Sequence, residues 1–225
     1  MQIKSHDMKN SLLVLFSILV MASCAESDQR NADTQTEPFE QFFSALAEQC
    51  GNAYPGGLTL EPPGDEMLTG TELLIVHFRE CDEDQLKMPF HIELEEAEKW
   101  DRSRTWIFTK HEDGLEIRHD HRMPDGSDDE VTMYGGHSVD EGTALRQEFK
   151  SIPRSEEMGH FRGWRIEIEP GVRYTYGTIR DTTWSWRVDF DLTEPLEELP
   201  PAPWDMNNSF FILVETHCIR SFSRY

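Results

Sequence analysis

Arg104-Thr-Trp-Ile-Phe-Thr-Lys-His-Glu-Asp-Gly-Leu-Glu-Ile-Arg-His-Asp-His-Arg-Met123 decides the fold. Its two runs, Arg104–Lys110 and Leu115–Met123, flank Glu112-Asp-Gly114. Asp-Gly is a strong hairpin dipeptide, because glycine accepts a positive φ at no steric cost. In the second run Leu115, Ile117, His119, His121 and Met123 share one face, while Glu116, Arg118, Asp120 and Arg122 take the other. A period of two is the mark of a half-buried strand. The apolar face is expected inside, which turns His119 and His121 inward.

The same pattern extends in both directions. Leu73–Cys81 and Leu86–Leu94 are separated by the acidic turn Asp82-Glu-Asp-Gln85, and Glu93–Lys99 is an acidic stretch with helical character. Asp125-Gly126 opens a turn before Val131–Ser138. Ala144–Lys150 follows, then a polar loop over 151–162. Trp164–Ile168 and Arg173–Arg180 are linked through Glu169-Pro-Gly171, and Thr183–Leu192 is the last strong strand. Trp184 and Trp186 fall on one face with Val188 and Phe190 and read as core. Gly135-Gly136 allows a close backbone approach, as at a barrel corner. Short sequential strands joined by tight turns predict an all-β, antiparallel up-and-down barrel of about eight strands, preferred to a Greek-key sandwich. Ahead of it, Phe39, Phe42, Phe43 and Leu46 lie at helical spacing. Residues 38–49 are therefore expected to form a short amphipathic helix with Pro38 in its first turn and Gly51 as a stop. Tyr54-Pro-Gly-Gly57 and Glu61-Pro-Pro-Gly-Asp-Glu66 read as loops. Pro195, Pro200, Pro201 and Pro203-Trp204 suggest an extended strap closing a domain of residues 38–204. Residues 205–225, with the apolar run Phe210–Val214, read as a tail. The architecture over about residues 55–195 resembles the calycin superfamily of lipocalins, fatty-acid-binding proteins and nitrobindin-like domains. The Gly-x-Trp near a lipocalin's start has no counterpart here, since Gly163-Trp164 comes far later.

The N-terminus gives an address. Lys4 and Lys9 precede the eleven-residue apolar run Leu12–Ala22. That run is short of the roughly 20 apolar residues a membrane span needs, so residues 1–23 read as a signal peptide. Met21-Ala22-Ser23-Cys24 resembles the lipobox of bacterial lipoproteins, with Met21 where leucine is usual. The resemblance implies lipidation of Cys24 with fatty acyl chains such as palmitate, and two or more chains anchor stably where one does not. Ala25 is not the aspartate that holds such lipoproteins at the inner membrane, which implies the outer membrane if the bacterium has two. Met8 offers an alternative start. Residues 24–37 carry no large apolar side chain and are expected to be a flexible tether.

Composition narrows the partners. The formal charge is −22, and −23 once residues 1–23 with Lys4, Lys9 and Asp7 are removed. Such a surface repels nucleic-acid phosphates and anionic headgroups. Hydrophobic content of 37% with six Trp and 13 Phe is still enough for a core. With Cys24 lipidated, Cys50 and Cys81 are the expected disulfide in an oxidising envelope, leaving Cys218 odd; pairings of Cys218 with either remain open.

The candidate site follows from the inward faces. His77 and Arg79 align with Leu73 and Ile75, and His137 aligns with Val131 and Met133. Together with Trp106, His119, His121, Tyr174 and Tyr176 they form a candidate aromatic and histidine lining for a small, mostly apolar ligand. Three other uses of His119 and His121 stay open: core residues paired with their neighbours, a general base, and ligands for a transition metal or haem iron. His119-Asp-His121 is similar to the His-x-His of the cupins, double-stranded β-helix metalloproteins. Gly114 lies five residues ahead rather than the motif's six, Asp125 stands near the place of its glutamate, and the second motif is missing after Gly171. Asp125-Gly-Ser-Asp-Asp-Glu130 has the oxygen density for calcium without the EF-hand order, and reads as a solvated turn. The sequence therefore predicts a non-catalytic envelope lipoprotein with a ligand-holding barrel. Its rivals are a metal-dependent, cupin-like enzyme and an interaction module with no cavity.

Overall fold

The structure, a computed structural model, describes residues 36–65, 67–95 and 99–206. The segments expected to be signal peptide (with Cys24 behind it), most of the expected tether and nearly all of the expected tail lie outside the described residues.

A short helix, α1 (Pro38–Ala47), opens the domain. Its start is fixed by Pro38 in the first turn and by the Glu37 amide donating to the Glu40 carboxylate at 3.2 Å. Eleven strands follow: β1 (Ala53–Leu60), β2 (Leu74–His77), β3 (Glu80–Cys81), β4 (Gln85–Glu93), β5 (Trp100–His111), β6 (Gly114–His121), β7 (Tyr134–Ser138), β8 (Arg146–Lys150), β9 (Arg162–Glu169), β10 (Arg173–Arg180) and β11 (Thr183–Asp191). A second helix, α2 (Ile152–Met158), lies between β8 and β9. Each ring strand pairs antiparallel with the next, β2 pairs directly with β4, and β11 returns to β1. The result is a closed antiparallel barrel of ten strands, with β3 attached outside the ring along β4.

Ten ring strands replace the eight expected. Tyr54-Pro-Gly-Gly57 is part of strand β1, not a loop. Gly56 belongs there because a side chain on it would meet the Asp189 carbonyl and the Phe190 ring, both within 2.4 Å. Pro55 is tolerated because pairing with β11 begins only at Gly56. The polar loop over 151–162 contains α2, which buries only Ser155 and so shows no apolar stripe. Val131 and Met133 fall outside β7 and are exposed.

The core occupies one end of the ring. Phe39, Phe42, Phe43 and Leu46 of α1 join Phe108, Leu115, Ile117, Phe149, Ile166 and Tyr174 there. A disulfide, Cys50–Cys81, ties the turn after α1 to β3 across 6.2 Å between Cα atoms. Closing a loop of that length contributes about 3–4 kcal/mol in the chain-entropy model. The proline strap runs over the outer face of β1, β4 and β5. Leu196 N–H donates to the Ala53 carbonyl, Trp204 N–H to Arg102, and the Arg102 guanidinium to the Ala202 carbonyl.

The seam between β6 and β7 depends on Gly135, whose added Cβ would sit 1.8 Å from the Ile117 carbonyl oxygen, a backbone atom that cannot swing aside. Gly135→Ala should cost about 3 kcal/mol, the upper end for overpacking, in urea unfolding. Gly57→Ala, with nothing within 4 Å, should be within about 0.5 kcal/mol of the parent.

Candidate functional site

The other end of the barrel is open. Arg104 within β5, His121 at the end of β6, Arg162 opening β9, Arg180 ending β10 and Ser185 near the start of β11 surround a cavity of about 450 Å³. Pro62, Asp65 and Met67 from the β1–β2 connection and Arg154 from α2 complete its rim.

Its floor is a contact across the barrel. Trp106 on β5 and Tyr176 on β10 stand five strands apart either way around the ring, yet their rings stack with centroids 4.1 Å apart. Phe90 stacks on the other face of Trp106 at 5.0 Å. Beside them, His119 Nε2 meets the Tyr176 hydroxyl at 2.5 Å, and Nδ1 lies 3.1 Å from the Tyr134 carbonyl oxygen. A carbonyl only accepts, so Nδ1–H donates to it and Nε2 accepts from the Tyr176 hydroxyl. The imidazole is neutral with one tautomer fixed. Burial holds its pKa down at about 3, against a weaker upward pull from the Tyr134 carbonyl. Burial also raises the Tyr176 phenol well above its ordinary value, which keeps its proton for His119.

His121 sits higher, with Nε2 3.2 Å from the Tyr134 hydroxyl. Its pKa is lowered, first by burial and then by Arg104. Tyr134 stacks flat on His119 at 4.7 Å, and the Arg154 guanidinium lies 5.4 Å over the Tyr134 ring. Trp164 forms the adjacent wall, 4.8 Å from the His119 ring.

The structure brings together Trp106, His119, His121 and Tyr176 from the predicted lining. Tyr174 also points inward, but lies in the packed core below, fully buried, with its hydroxyl unpartnered among the described residues. His77, Arg79 and His137 were expected to face inward and do not line this cavity. On β2 it is Leu74, Val76 and Phe78 that join the core, so His77 and Arg79 take the outer face. They are nonetheless buried, as is neighbouring His91, whose Nε2–H donates to the Pro201 carbonyl of the strap at 2.8 Å. His137 is exposed and pairs outside with Glu116 at 3.4 Å. The expected register from Val131 fails because Met133 adopts φ 56°, which breaks the alternation before β7 starts. Trp184 is outside too. A register shift between Thr178 and Ile179 flips it off the Trp186 face, under the guanidinium groups of Arg165 and Arg187. Asp125 spends its carboxylate on the Ser127 amide and hydroxyl in an exposed turn, as a solvated tip does.

His119, as it is bonded here, does not fit a metal or a haem iron. A neutral imidazole has one lone pair, and that of His119 is taken by Tyr176. Among the described residues no three His, Cys, Asp or Glu side chains gather in metal-binding range.

Four arginines, Arg104, Arg154, Arg162 and Arg180, escaped the sequence reading. Arg162 and Arg180 were accessible to it, since each continues the inward parity of Trp164 and Tyr176 along its strand. Arg154 sits on the helix that polarity concealed.

Comparisons with family models, with curated proteins and with solved structures return no match.

Stability should fall as acid reaches the buried imidazoles. His77 and His119 are held at about 3 and His91 at about 4, burial being the leading cause in each. The unfolded chain takes up these protons near pH 6.5, the folded one only near those lower values. The stabilisation is therefore complete above about pH 6.5 and is lost as pH falls toward the folded values. Urea midpoints should drop between about pH 7 and about pH 5, and His119→Gln should remove roughly a third of that slope. Tyr176→Phe leaves the His119 lone pair buried without a donor and should cost about 1–3 kcal/mol at neutral pH.

Proposed function

We propose that this protein is a lipid-anchored envelope protein whose calycin-like barrel holds a small, mostly apolar ligand in its open end. The observation that carries the reading is the cavity above the Trp106–Tyr176 stack. Its volume of about 450 Å³ lies within the roughly 300–1,000 Å³ of small-molecule pockets. Its walls are aromatic, and its floor presents no unpaired donor or acceptor from His119. An apolar body entering it displaces water without stranding a polar group. A module with a filled interior lacks this space.

In this reading Cys24 carries the acyl chains, and residues 24–37 hold the barrel away from the bilayer. The site in the envelope is the outer membrane where the bacterium has two. Nothing in a chain of charge −22 recommends nucleic acid as a partner.

The test uses the full chain with Cys24→Ala, which carries no lipid to retain detergent. The neutral dye N-phenyl-1-naphthylamine should bind with saturable, one-to-one energy transfer from tryptophan. Thr178→Phe, which fills the cavity, should weaken binding by about tenfold or more, while the outer-face variant His137→Ala should leave it unchanged. Transfer that never saturates, or that ignores the filled cavity, would refute the reading. Acylation is checked separately: mass spectrometry of the wild-type protein should find fatty acyl chains at Cys24 and none in Cys24→Ala.

A further inference from the structure

Four arginines ring one opening in a chain whose 43 acidic residues outnumber its 21 lysines and arginines two to one. Arg104 is engaged, its guanidinium bonded to Asp101 and to the Ser103 hydroxyl. Arg154 lies over the rings of Tyr134 and Trp164. Arg162 and Arg180 are different. They are direct register partners on adjacent strands, two residues beyond Trp164 and Thr178 on the inward face. Neither they nor Arg154 makes an ion pair with any described residue. One carboxylate, Asp65, lines the cavity from the β1–β2 connection, and it accepts the Met67 amide at 2.9 Å.

Like charges directly opposite on a sheet are destabilising. Here the pair is placed at the mouth of an apolar cavity, whose low-dielectric walls concentrate its field. Two guanidinium forks side by side supply what a carboxylate or sulfonate needs for charge-assisted hydrogen bonds. The interior offers nothing of the kind, since His119 is neutral and committed.

We infer that the ligand is an amphiphilic anion, with an apolar, ring-sized body against Trp106 and Trp164 and a single carboxylate or sulfonate head held by Arg162 and Arg180. The inference rests on the ligand-holding reading of the same cavity. It adds an orientation: the body enters first and the head stays at the rim.

The test compares two dyes that share one ring system, neutral N-phenyl-1-naphthylamine and anionic 8-anilinonaphthalene-1-sulfonate, on the full Cys24→Ala chain at low salt. The sulfonate should bind about tenfold tighter or better. In Arg162→Gln/Arg180→Gln that advantage should vanish while the affinity for the neutral dye stays within about twofold. The double variant without dye should also melt at the same or a higher temperature than the parent, because the like-charge pair is gone; this guards against reading misfolding as lost recognition. In the parent, 1-naphthoate should displace the sulfonate dye at a concentration about tenfold lower than neutral 1-naphthylmethanol requires. Equal affinity for the two dyes, or a sulfonate preference that survives the double substitution, would overturn the anion inference and leave the cavity reading standing. Failure of both dyes to bind would remove the cavity reading, and the inference with it.

Discussion

The stack of Trp106 on Tyr176 organises the interior. An eight-stranded barrel is just wide enough for its own side chains to fill, and wider rings leave space. With ten strands, contact across the lumen takes large side chains, and here Trp106 and Tyr176 on opposed strands meet at 4.1 Å and divide it. On one side α1 inserts its three phenylalanines and Leu46 into the buried cluster. On the other no described residue plugs the ring, and the cavity remains. The partition thus follows from where two aromatic residues fall in register, with the helix sealing the end they leave too wide.

The neutrality of the floor follows from the same contact. Packing Trp106, Tyr134 and Trp164 around His119 strips it of water, which penalises the charged form of the imidazole. A desolvated imidazole still needs both ring nitrogens satisfied, and the register supplies them: Tyr134 is the β7 partner of His119, and Tyr176 reaches over from β10. The hydrogen bonds then fix one tautomer. Histidine here acts as a rigid polar strut between two tyrosines, and the charge of this end of the barrel is left to arginines at the rim.

How much of this was legible in the sequence depended on whether one face of each strand met water. On β6 it does, so alternation placed His119 and His121 inward correctly. On β2 both faces are covered: Leu74 and Val76 face the core, while Ile75 and His77, and Arg79 just beyond the strand, lie buried on the outer face. The alternation that periodicity reads was absent there, and the wrong face was chosen. Trp184 and His137 failed for a different reason, since a register shift and a left-handed Met133 each reset the parity within an otherwise plausible run. The Cys50–Cys81 disulfide was one of the pairings that the cysteine count left open, and the expectation of an oxidising compartment favoured it. Strand β1 was hidden by the glycine and proline that let it fit against Phe190, residues whose usual meaning is a turn.

The barrel's weakest step is its closure. Most ring pairings join strands adjacent in sequence, but β1 must find β11 after nearly the whole domain has been made, and non-local pairing carries the largest loop-closure cost. The molecule adds connections on the β1 side of this seam. The Cys50–Cys81 bond holds the chain just before β1 against β3, beside β4. The segment after β11 then turns back over the outside, donating from Leu196 to Ala53 on β1 and accepting from His91 on β4 at Pro201. This strap lies against His91 on the outer surface, and His77 and Arg79 are buried there too. The desolvation of His91 is therefore a consequence of the strap, which is why a fully buried imidazole stands away from the cavity.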